Sequence, residues 1–73
     1  MNNFFTEYLL KNGWIRDNQM SYFFEKDNSF NLFFDTSHQI ELYKNGIRIS
    51  EKYLSDIESL REFLRDNEIP PVV

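Results

Sequence analysis

The sequence predicts an α+β domain: a four-stranded antiparallel β-meander with an N-terminal and a C-terminal helix packed on one of its faces. Three observations carry this. Apolar residues recur at helical spacing at both ends of the chain. Between those ends, short polar turns separate runs rich in Phe, Tyr, Ile and Leu, the composition of strands. The registers that these turns impose agree on a single apolar face, and agreement among independent local signals is what a foldable sequence displays.

At the N-terminus, Asn2 or Asn3 can cap a helix, and Asn12-Gly13 supplies the left-handed residues that end one. Between them Phe4, Phe5, Tyr8 and Leu9 form the apolar stripe, so a helix is expected over 3–12. A connecting segment at Trp14-Ile15 and a polar turn at Asp17-Asn18-Gln19 lead to strands at about 20–26, 30–35, 39–44 and 47–50. A three-residue loop at Asp27-Asn28-Ser29 sets Phe24 against Leu32 and Tyr22 against Phe34. A loop at Thr36-Ser37-His38 sets Phe34 against Ile40, and an Asn45-Gly46 type I′ hairpin sets Lys44 against Ile47 and Leu42 against Ile49. The expected core face is Tyr22, Phe24, Phe30, Leu32, Phe34, Ile40, Leu42, Ile47 and Ile49. A second helix opens on Ser55-Asp56-Ile57-Glu58, read as a capping box between Ser55 and Glu58, and buries Ile57, Leu60, Phe63 and Leu64. It should stop near Asn67, ahead of Pro70-Pro71, and the tail 68–73 is expected to pack on the domain or on a neighbour. Residues 1–73 form one domain, near the size where a single core barely suffices.

The opposite phase of the sheet carries Ser21, Phe23, Glu25, Asn31, Phe33, Asp35, Gln39, Glu41, Tyr43, Arg48 and Ser50. Phe23 falls opposite Phe33, with Tyr43 one strand away and Glu25, Asp35 and Glu41 around them. An aromatic centre with a polar rim is the composition of a protein interface. The blander alternative is a cross-strand aromatic pair that only steadies the sheet, by about 0.2–1 kcal/mol.

Composition narrows the classes of function. Twelve acids against eight bases give a net charge of −4, which disfavours a phosphate backbone and favours a basic protein partner. Cysteine is absent, which excludes disulfides and thiolate chemistry. The run Asp35-Thr36-Ser37-His38 contains the residue types of a hydrolase triad, but adjacent residues of a tight turn are expected to point apart and no glycine loop offers an oxyanion site. No catalytic residue, metal site or cofactor is therefore expected, and His38 reads as a solvated turn residue. The start MNNFFTEYLL lacks the basic and apolar regions of a signal peptide, and no stretch reaches the roughly 20 apolar residues of a membrane span, so a cytoplasmic protein is expected.

The functional expectation is a non-enzymatic protein-binding module acting by steric occlusion through Phe23, Phe33, Tyr43, Glu25, Asp35, Glu41 and Arg48. Small size, negative charge and the Asn-, Phe- and Ile-rich, alanine-free bias of AT-rich coding suggest an inhibitor of a nucleic-acid-handling protein, carried by a phage or mobile element. The alternatives are a homodimer closed by the same aromatic face and a single-strand nucleic-acid binder using its rings as stacking platforms.

Overall fold

Phe5 and Leu9 stand one helical turn apart, and burying both against a sheet fixes the first helix, α1 (Asn3–Lys11). The computed structural model describes residues 3–27 and 29–69; Asn2 as a cap, Asn28 and the tail from 70 lie outside the described residues. Tyr8 packs on the margin of the stripe, whereas Phe4 is 69% exposed. Each residue turns the helix by about 100°, so Phe4 sits well off the Phe5–Leu9 line and leaves the predicted stripe.

Five strands follow: β1 (Ile15–Arg16), β2 (Phe23–Lys26), β3 (Phe30–Phe34), β4 (Gln39–Lys44) and β5 (Ile47–Tyr53), in sheet order β1-β2-β3-β4-β5 with every neighbouring pair antiparallel. The sheet thus has five strands where the sequence predicts four. Two residues carry no periodicity, and β1 is identified only by its pairing of Ile15 with Glu25 and Arg16 with Phe24. Its loop to β2 is tied by the Asp17 carboxylate, which accepts the amides of Gln19 and Met20 at 2.8 and 2.7 Å and is held below its ordinary pKa by those bonds. That loop takes residues 20–22 out of the predicted strand.

The central registers are as expected: Phe24 opposes Leu32, Leu32 opposes Leu42, and Phe34 opposes Ile40. Asn45 and Gly46 have φ of 53° and 82°, the pair of left-handed residues that a type I′ turn requires. The last strand departs from expectation. Tyr43 pairs with Arg48 and Leu42 with Ser50, so a bulge inserts Ile49 as an extra residue and moves Ser50 to the core phase. Ile47 and Ile49 are 68% and 47% exposed on this edge strand, where the core face had been assigned to them. Tyr22 also leaves the core, and its ring meets Phe33 edge-on at 5.2 Å.

The second helix, α2 (Ile57–Asp66), is capped by Asp56 and Ser59, one residue on from the predicted Ser55–Glu58 box. The Asp56 carboxylate accepts the Ser59 amide at 2.9 Å, and Ser59 Oγ accepts the Asp56 amide at 3.1 Å. An aspartate placed three residues before a serine offers the same reciprocal geometry with an ionised acceptor, favoured at a helix N-terminus.

Both helices end alike. Asn12 and Asn67 donate their side-chain amides to the carbonyls of Tyr8 and Phe63, each at 2.8 Å. Gly13 and Glu68 follow at φ of 87° and 62°, and Trp14 and Ile69 then donate back to Leu9 and Leu64 at 3.0 and 2.9 Å. These are Schellman turns, and each folds a large apolar residue into the core. One cluster therefore unites Phe5, Leu9 and Trp14 with the inner sheet residues Phe24, Leu32, Phe34, Ile40 and Leu42 and with Leu60, Phe63, Leu64 and Ile69, so both helices cover the same sheet face.

Leu9→Ala should cost about 3 kcal/mol or more, while Ile47→Ala on the exposed edge should change stability by less than about 0.5 kcal/mol, both read from urea unfolding midpoints. Glu68→Gly should stabilise the protein by about 1 kcal/mol, because glycine occupies a left-handed position without the Cβ penalty that Glu68 meets there. A loss of stability in that variant would contradict the C-cap assignment.

Candidate functional site

With the registers set, the outer sheet face follows from the pleat. Phe23 on β2 is directly opposite Phe33 on β3, and Asn31 is directly opposite Tyr43 on β4, which brings Tyr43 diagonally beside Phe33. Phe23, Asn31, Phe33 and Tyr43, with Gly46 at the hairpin, line a shallow hollow of about 300 Å³. The three rings are half-buried, so each keeps a surface available to a partner.

Glu41 and Arg48 adjoin this hollow. Glu41 accepts the Tyr43 hydroxyl at 3.0 Å and an Arg48 Nη1–H at 3.2 Å, and Arg48 also lies 3.5 Å from Glu51. The Glu41 side chain is 18% exposed and Arg48 54%, so the carboxylate is screened by its own partners. Its hydrogen bond, then desolvation and its negative charge, hold the Tyr43 phenol above the ordinary value of 10.0, against a smaller opposing effect of Arg48. Tyr43 is therefore a hydroxyl donor already committed to Glu41.

Glu25 stands apart from the aromatic hollow. It shares a second hollow, of about 230 Å³, with Phe23 and residues of β1 and its loop. Asp35 lies just past β3, exposed, with its amide bonded to Gln39. The seven predicted residues thus separate into three rings around one hollow, an ion-paired Glu41–Arg48 edge, and two exposed carboxylates farther out. Reading the sequence missed Tyr22, which turns onto Phe33, and Glu51, which faces Glu41 across the ladder beyond the predicted end of the last strand. A strand of seven residues would have revealed Glu51; the bulge at Ile49 hides that length by breaking the alternation.

The sheet also sorts its charges. Arg16 opposes Phe24, Lys26 opposes Phe30, Lys44 opposes Ile47 and Lys52 opposes Ile40, so these four bases belong to the helix-covered phase. Their stems run over apolar neighbours, as where Lys44 Nζ lies 5.3 Å from the Phe30 ring centre. On the outer phase Glu25, Glu41 and Glu51, with Asp35 at the end of β3, face Arg48 alone.

His38 lies in the bend between β3 and β4, half-buried. Its ring meets Phe5 edge-on at 6.0 Å and stacks on Tyr53 at 5.6 Å, and Ser37 Oγ lies 2.8 Å from Nδ1. The two side chains do meet, where adjacent turn residues were expected to diverge. Among the described residues no carboxylate bonds the imidazole, and the ring serves to close the end of α1 over the sheet. Also among the described residues, no helix is long and apolar enough to cross a membrane and no three metal-ligating side chains cluster. On the outer surface of α2, Arg61 is 3.1 Å from Glu58 and Arg65 approaches Asp66 at 3.9 Å.

Comparison of the chain with protein-family models, with curated proteins and with solved structures finds no match.

Glu41→Gln removes the ionised acceptor, so the Tyr43 midpoint should fall back toward 10.0, measured by carbon NMR titration of its ring. In the wild type the folded state keeps this proton where the unfolded state has lost it, so Tyr43's contribution to stability is intact below the unfolded pKa and declines as pH rises through the folded value. An unchanged midpoint in the variant would show that the hydrogen bond does not set it.

Proposed function

We propose that the outer sheet face is a protein-binding surface whose partner presents a basic patch, and that the chain acts without catalysis by occluding that patch. The observation that carries this is an apolar hollow on a sheet face whose charged side chains are mostly acidic. Phe23, Phe33 and Tyr43 supply rigid aromatic area of the kind that anchors interfaces, while Glu25, Asp35, Glu41 and Glu51 outnumber Arg48 around it. A protein that covers a basic surface competes with nucleic acid for it, which is the behaviour of an inhibitor of a nucleic-acid-handling protein.

The same charges weigh against the two alternatives. A homodimer through this face would bring like-charged rims together, and a nucleic-acid strand stacked on the rings would lay its phosphates against carboxylates.

The test is a nuclease-treated pull-down comparing the wild type with Phe23→Ser/Phe33→Ser and with Glu25→Lys/Asp35→Lys. A partner with a basic surface should be retained by the wild type, released by salt, and weakened in the serine variant by about 2 kcal/mol or more, roughly 30-fold in affinity. Equal capture by all three proteins would move binding off this face, and a wild type that sediments as a dimer through Phe23 and Phe33 would replace the reading with self-association.

A further inference from the structure

A smaller hollow, of about 110 Å³, lies where the end of α1 approaches α2, away from the outer sheet face. Lys26, Arg61 and Arg65 all line it, so three of the eight bases in a chain of net charge −4 converge on one small space. Glu58, also in its lining, is 3.1 Å from Arg61, and Asp66 approaches Arg65 at 3.9 Å. Lys26 is 8% exposed, and its Nζ is fixed by donating to the Asn12 carbonyl at 2.9 Å, which holds one cation in the wall.

A second observation is independent of charge. Trp14 forms part of the same wall, is 2% exposed, and its Nε1 hydrogen has no acceptor among the described residues. Buried donors in native proteins are almost always paired, so an orphan donor calls for an acceptor from outside the chain, a water or a bound group. The remaining lining is the apolar surface of Tyr8, Leu64 and Ile69 together with the buried Asn12. Donors and cations on one side with aromatic and aliphatic surface on the other is the chemistry of a site for an anion that carries an apolar body.

We infer that this hollow binds a small organic carboxylate. The carboxylate is held by Arg61 and Arg65 with Lys26 behind them, one of its oxygens accepts the Trp14 Nε1 hydrogen, and its apolar body lies against Tyr8 and Leu64. The site is separate from the outer sheet face and does not depend on what binds there.

Trp14 is the sole tryptophan, so its emission reports on the hollow directly. Titration of the full chain with sodium hexanoate should give a saturable change in that emission. Arg61→Gln/Arg65→Gln should weaken it at least about tenfold, as expected for losing charge-assisted hydrogen bonds. Both arginine side chains are more than half exposed, so this variant is expected to fold, and Phe23→Ser/Phe33→Ser should bind hexanoate as the wild type does. The inference is overturned if sodium chloride at matched ionic strength produces the same change, if the double arginine variant responds equally, or if inorganic phosphate alone binds as tightly as hexanoate.

Discussion

Helices of nine and ten residues do not persist alone in water, and among the described residues two of them cover one face of the sheet. What makes them persist is the inner row Phe24, Leu32, Phe34, Ile40 and Leu42, a continuous apolar surface against which Phe5 and Leu9 from one helix and Leu60, Phe63 and Leu64 from the other are buried. The helices need the sheet, and the sheet needs both helices, because a small chain leaves no other material to exclude water. The twin C-terminal turns extend this coverage. By reversing the backbone at Gly13 and Glu68 they return Trp14 and Ile69 to the core, so that even the connecting segments contribute apolar area.

Covering one face leaves the other open, and charge placement gives the two faces different characters. Arg16, Lys26, Lys44 and Lys52 share the covered phase, where long stems can lie along apolar margins and deliver their charge to the edge. The carboxylates share the open phase with the aromatic rings. Electrostatics of this kind contributes little to stability through exposed pairs such as Arg48 with Glu51, and much more to the choice and steering of partners. Of the bases lining the proposed carboxylate hollow, Lys26 comes from the covered phase of the sheet and Arg61 and Arg65 from α2.

The aromatic part of the candidate site was legible before any coordinates, because the hairpin at Asn45-Gly46 and the loop after Lys26 fix which residues oppose each other, and the pleat then fixes the face. Its rim was only partly legible. Glu41 and Arg48 were placed correctly beside Tyr43, but the Glu51 partner lay past a bulge that a strict two-residue alternation cannot represent. Tyr22 was assigned to the core by extending the strand backward through a segment that the Asp17 carboxylate instead gathers into a loop.

By itself the sequence determined the two helices, the three central strands and their registers, the inner residues Phe24, Leu32, Phe34, Ile40 and Leu42, and the aromatic outer face, since each of these depends on local periodicity and turn chemistry within a few residues. The tertiary structure alone decided the fifth strand, the exposure of Ile47 and Ile49, the left-handed Glu68 and the convergence of Lys26, Arg61 and Arg65 beside Trp14. These depend on which surfaces the two helices can reach and on contacts between residues far apart in the chain. A two-residue strand has no pattern of its own, an edge residue is buried only if something extends over it, and a hollow between two helices belongs to neither.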